Sequence, residues 1–104
     1  MITASFVKKN GNFYKFRISG HSGYAEQGSD IVCAAVSSMT MLVINTLSED
    51  FGVPVDLSVD EATATIDLSL GTLDKTACAL IAGLERELSA LANDFPDNVR
   101  VVVK

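Results

Sequence analysis

The stretch Phe13-Tyr-Lys-Phe-Arg-Ile-Ser-Gly-His-Ser-Gly-Tyr-Ala-Glu-Gln-Gly-Ser-Asp-Ile-Val-Cys-Ala-Ala-Val-Ser37 changes its periodicity twice. From Phe13 to Ser19, Tyr14, Phe16 and Ile18 alternate with Lys15, Arg17 and Ser19, the period of a strand with one buried and one wet face. From Ser22 to Ser29 there is no sustained period, and Gly23 and Gly28 stand at the two shoulders, which predicts a mobile loop. Beyond it Val32, Ala35, Val36, Met39, Leu42, Val43, Thr46 and Leu47 recur at three and four residues, so a helix is predicted to run to about Ser48, capped by Ser29 or Asp30. Ile31, Met41 and Ile44 lie on its other faces. The helix is therefore expected to be covered on more than one side, inside the fold or at a subunit contact.

On the N-terminal side, Ile2 to Val7 alternates like a strand and Asn10-Gly-Asn12 is a turn signal, which together with Phe13 to Ser19 predicts a β-hairpin. On the other side, after Gly52 and Pro54, Val55 to Val59 and Ala62 to Leu70 read as a second hairpin turned at Asp60-Glu61. Thr72 offers a cap for a second helix whose apolar stripe is Ala77, Leu80, Ile81, Leu84, Leu88 and Leu91. Asn93, Asp94 and Pro96 end it, and the β-branched run Val99 to Val103 supplies a last strand. Hairpin, helix, hairpin, helix, strand predicts a two-layer α+β fold, with one sheet of about five strands and two helices packed on it. At 104 residues the chain is expected to form a single domain, residues 1–104.

Eight basic residues against 13 acidic ones give a formal charge of −5, which argues against direct nucleic-acid binding because that binding is carried by clustered Lys and Arg. The same charge favours encounter with a basic protein. The longest continuous apolar runs, Ile31 to Val36 and Met41 to Ile44, fall far short of the roughly 20 residues that cross a bilayer, so no membrane segment is expected. Two cysteines in helical segments, with no secretory signal ahead of the first strand, suggest a reduced, cytoplasmic protein. No Cys-x-x-Cys or paired ligand spacing accompanies His21, Cys33 and Cys78, so neither a metal nor any other cofactor is expected.

The chemistry concentrates on His21, the one histidine, and Cys33, twelve residues on. A free thiol with an ordinary pKa of about 8.5 is only a few per cent thiolate at neutral pH, so a nucleophilic cysteine needs a base or a helix N-terminus beside it. With Asp30 as N-cap, Cys33 falls in the first helical turn, where free amides favour an anion. His21 leaves a strand end through Gly20, and a loop that folds back would bring imidazole and thiol together. Cys33 read alone is as well described as a small buried hydrophobe. Asp30 has two competing jobs, capping the helix or orienting His21. Ser37, one turn beyond Cys33, could donate to a substrate carbonyl or bond back to its own helix. Cys78, away from any histidine, reads as structural.

The segment Gly20 to Ser37 closely resembles the signature of the ribosomal-processing cysteine protease family, called Prp. The matching residues are Gly20, His21, Gly23, Tyr24, Ala25, Gly28, Asp30, Ile31, Val32, Cys33, Ala34, Ala35, Val36 and Ser37; Ser22, where alanine is common, is the small departure. The resemblance implies a homodimeric cysteine endopeptidase that removes the N-terminal extension of the twenty-seventh protein of the large ribosomal subunit, a basic partner. By position it implies Cys33 as nucleophile and His21 as general base, with Gly20, Asp30 and Ser37 supporting the site and Gly23 and Gly28 as hinges of a closing loop. The first amides of the helix are the expected oxyanion hole. A non-enzymatic ribosome-associated binding domain, or a cysteine hydrolase acting on another substrate, would carry the same residues.

Overall fold

The computed structural model describes residues 1–26 and 28–104. Strand β1 (Ile2–Lys9) turns at Asn10 and Gly11, both at positive φ, into β2 (Asn12–Ser19). Paired positive φ values give the turn whose twist matches a hairpin, which is why Asn-Gly occupies it. Helix α1 (Ile31–Asn45) follows the loop and continues as a π-helical turn, Thr46–Asp50. Strands β3 (Val55–Asp60) and β4 (Thr65–Leu70) form the second hairpin, α2 (Lys75–Asp94) crosses back, and β5 (Val99–Val103) completes the sheet.

The five strands lie in the order β3-β4-β2-β1-β5. All neighbours are antiparallel except β1 and β5, which run parallel with Ile2 opposite Val99 and Phe6 opposite Val103. One face carries Ile2, Ala4, Phe6, Phe16, Ile18, Leu68, Leu70 and Val99, all buried. Both helices cover that face, α1 with Val32, Val36, Thr40, Val43 and Ile44, α2 with Ala77, Cys78, Ile81, Leu84 and Leu88. Phe6 and Phe16, fully buried and 6.0 Å apart, stand opposite each other at its centre. The two-layer α+β expectation is therefore met, with a mixed sheet.

Four local expectations change. The second hairpin turns at 61–64, not at Asp60-Glu61, because Asp60 accepts the Ala62 amide and Ala64 takes a positive φ of 50°. The cap of α2 is Asp74, whose carboxylate accepts the Ala77 amide, and not Thr72. Inside the fold, helix α1 is covered along its stripe and at Ile44 but not beyond: Ile31 and Leu42 are 61% and 68% exposed and Met41 is exposed as well, which leaves a subunit contact as the remaining form of that expectation. Finally, Ile31–Asp50 forms 20 residues of continuous helix with a mean hydropathy of 1.8, long and apolar enough to cross a membrane by length and composition, although no single apolar run is. Val32, Val36, Thr40, Val43, Ile44 and Leu47 are buried in the interior beneath the sheet, and 33% of the apolar window is buried in the fold.

Candidate active site

Gly20 ends β2 at φ 93°, its amide bonded to the Ala64 carbonyl; a Cβ there would lie 2.4 Å from the Met1 carbonyl oxygen. Only glycine fits such a conformation pressed against backbone. His21 follows directly, and its own carbonyl accepts the Met1 amine. The end of the central strand β2, the β3–β4 turn and the residue ahead of β1 thus all converge on the backbone that carries the imidazole.

Cys33 enters from α1. Asp30 caps this helix, one carboxylate oxygen accepting the Cys33 amide at 2.9 Å. The other accepts the Ser22 hydroxyl, and Ser22 Oγ in turn accepts the Tyr24 amide. Asp30 is therefore the clamp between helix and loop, and the structure shows it bonded to Ser22 and Cys33, not to His21. Its carboxyl is held below the ordinary range first by the Ser22 hydroxyl and then by the Cys33 amide. Of the first amides of the helix, that of Cys33 is thereby donated to Asp30.

Ser22 is the residue that the sequence undervalued: it is 1% exposed and joins three elements, since its carbonyl also accepts Asn98 Nδ2 from the turn before β5. Tyr24 sets its ring edge-on against Phe95, 5.4 Å between centroids. The first half of the segment expected to be mobile is thus anchored on α1 and on the α2–β5 turn. Gly23 and Gly28 do adopt positive φ, 69° and 95°, with open space around them; Gln27 lies outside the described residues. A serine one place after a histidine carries no signal of burial, and the Asn98 and Phe95 contacts cross more than seventy residues, so neither was legible locally.

Two cavities meet at the same side chains. One, of about 430 Å³, is lined by His21, Gly23, Ala25, Gly28, Asp30, Cys33, Ala34 and Ser37. The other, of about 250 Å³, lies between α1 and the β3–β4 hairpin; His21, Cys33 and Ser37 border it, and Ile18, Val36, Val59 and Ile66 make it apolar. Cys33 is half-buried, a thiol at the junction of both. Thr40 and Ser48 turn their hydroxyls back onto the Val36 and Ile44 carbonyls, whereas Ser37 is exposed where the cavities join. Cys78 is buried on the sheet-facing side of α2, and burial, then the nearby Asp74 carboxylate, push its thiol up from its ordinary range. Among the described residues no three of His, Cys, Asp and Glu converge on a metal-sized site.

The sequence model of the family described as Cysteine protease Prp matches residues 1–100 of this chain. The chain belongs to the Prp cysteine protease family. Two relatives named Ribosomal processing cysteine protease Prp agree with this. That of Mycoplasma pneumoniae is 32% identical over 93 residues, covering 86% of this chain and 87% of its own. That of Bacillus subtilis is 30% identical over 91 residues, covering 83% and 81%. Among solved structures, the S. aureus Prp protease with a covalently linked product peptide superposes with a TM-score of 0.93 over all of both chains, at 23% identity, which shows the Prp fold. SMU.848 from Streptococcus mutans superposes with a TM-score of 0.87 at 30% identity, covering 99% of this chain and 93% of that one.

Proposed function

We propose that residues 1–104 act as one cytoplasmic cysteine endopeptidase domain that removes the N-terminal extension of the twenty-seventh protein of the large ribosomal subunit. The observation that carries this reading is the convergence of His21 and Cys33, from the end of β2 and the start of α1, on two adjoining cavities. His21 takes the thiol proton, and the Cys33 sulfur attacks the scissile carbonyl to form a tetrahedral adduct. His21 then returns the proton to the leaving amine, leaving a thioester that water hydrolyses. With the Cys33 amide held by Asp30, the Ser37 hydroxyl one turn along the helix is placed to donate to the developing oxyanion. The apolar cavity beside Cys33 suits a large apolar side chain next to the cut bond. The loop between Gly23 and Gly28 closes over the peptide and excludes water from the thioester.

The active form in this proposal is a homodimer. Met41, Leu57 and Val59 are exposed apolar side chains, the last two on the edge strand β3, and an uncovered edge of this kind calls for a partner.

The test is to incubate wild-type and Cys33→Ala proteins with the extended ribosomal protein under reducing conditions and to read the products by mass spectrometry. Cleavage at one bond by the wild type alone is expected, and His21→Ala is expected to lose roughly a hundredfold to ten-thousandfold in kcat/KM. Cleavage by both proteins ends the nucleophile assignment. Cleavage by neither turns the site over to another substrate or to a binding role.

A further inference from the structure

The net charge of −5 conceals a segregated distribution. Lys8, Lys9, Lys15, Arg17, Arg100 and Lys104 lie on β1, on β2, on β5 or just beyond it, which makes six of the eight basic residues. None of the 13 acidic residues falls on those three adjacent strands. Register places most of these cations on the sheet face turned away from the helices. Across the sheet, one row runs Arg100, Thr3, Ser19, Thr65; the next Val102, Ser5, Arg17, Asp67; the third Val7, Lys15, Ser69, with Lys104 beside Val7 in the same shallow concavity. Arg17 is tied to Asp67 at 2.7 Å. Among the described residues, Lys9, Lys15 and Arg100 have no such carboxylate partner; Lys15 and Arg100 are exposed on the outer face, and the Lys9 amine lies 5.9 Å from the centre of the Tyr14 ring.

We infer that the outer face of β5, β1 and β2 binds the phosphate backbone of double-stranded RNA without reading its sequence. Unpaired cations interleaved with the hydroxyls of Thr3, Ser5 and Ser19 are the donor set that phosphate oxygens take. The face presents no open aromatic ring, since Phe6, Phe13 and Phe16 pack with the core and Tyr14, partly buried against it, has the Lys9 amine over its ring. It therefore has no platform for stacking unpaired bases, and no bulky apolar wedge to enter a bilayer. The cleft with His21 and Cys33 lies on the helix-covered side, so bound RNA leaves it open.

The test is fluorescence anisotropy with a labelled RNA duplex of about 20 base pairs, long enough for a shape-reading protein domain to span. Titrations at several salt concentrations are expected to show binding that weakens with salt, with a log–log slope of about −2 to −4, as two to four neutralised phosphates give. Lys15→Ala should reduce that slope by about 1. The charge-reversing combination of Lys9→Glu, Lys15→Glu and Arg100→Glu should weaken binding at least about tenfold, with peptide cleavage and thermal midpoint as controls for the fold. No binding at about 50 mM salt, unchanged binding by the reversed variant, or tighter binding to vesicles of phosphatidylserine and phosphatidylcholine would overturn the inference. The assay contains no protease substrate, so its failure is distinct from failure of the function proposed above.

Discussion

Asp30 does three jobs with two oxygens: it caps α1, holds Ser22, and so fixes the loop start to the cysteine helix. Its folded pKa lies below the ordinary 3.8, so between the two values the unfolded chain binds more protons than the native one. The stabilisation is fully present above the unfolded value and drains away as pH falls through the folded one. Thermal midpoints recorded by circular dichroism from about pH 5 to pH 2 should therefore fall more steeply for the wild type than for Asp30→Asn; parallel curves would remove the role. Ser22→Ala should move the acid limb of the curve to higher pH, because the largest contribution to the depressed value is lost. Gly20→Ala meets a different barrier, the Met1 carbonyl together with a positive φ. It should cost about 1–3 kcal/mol from conformation alone. Cleavage should fall further than stability in that variant, because the displaced backbone carries His21. The signature singled out Gly20, Asp30 and Ser37, which line the cavities that His21 and Cys33 border; the chemistry of Asp30 was legible only as two alternatives, because sequence does not say where a carboxylate's second oxygen points.

Among the elements, the helices and the hairpin strands were read from their hydrophobic patterns and β5 from its β-branched run, and the misreadings lie at element ends. Ala62 to Thr65 continues the alternation of β4, so the period alone extended the strand through residues that turn. Thr72 and Asp74 are two residues apart and both are good caps; what separates them is which oxygen reaches an amide, and Asp74 reaches Ala77. Asp74→Ala should therefore lower stability by about 1 kcal/mol, or roughly 4–8 °C in Tm, while Thr72→Ala should leave Tm nearly unchanged. Equal effects would place the helix start elsewhere. The loop illustrates a related point: a proline at Gly28 could not lock the observed conformation, since its φ of 95° is closed to proline, so hinge tests there should use Gly28→Ala.

At the scale of the molecule, one cluster of buried side chains between the helices and the sheet forms the core, with Phe6 and Phe16 at its centre. Phe16→Ala should cost about 3–5 kcal/mol, against a total of about 5–15 kcal/mol for an ordinary domain, measured by urea unfolding. The apolar excess was legible in composition, but its placement was not: part of it fills the helix–sheet interior, while Leu57 and Val59 are left on an open edge. Leu57→Lys combined with Val59→Lys should convert a dimer to a monomer in size-exclusion chromatography with light scattering; an unchanged dimer would place the interface elsewhere. Charge shows the same limit, since a total cannot report that three neighbouring strands hold no acid.

The parallel pairing of β1 with β5 has a consequence for the order in which the protein comes into being. Asn98 and Phe95, which brace Ser22 and Tyr24 from across the fold, are made after nearly everything else, and Ile2 finds the Asn98 carbonyl only once both ends of the chain are present. A growing chain thus carries its histidine and cysteine long before it carries the struts that hold their loop. The cleft is finished last, so a half-made molecule has both side chains without the frame that brings them to one place.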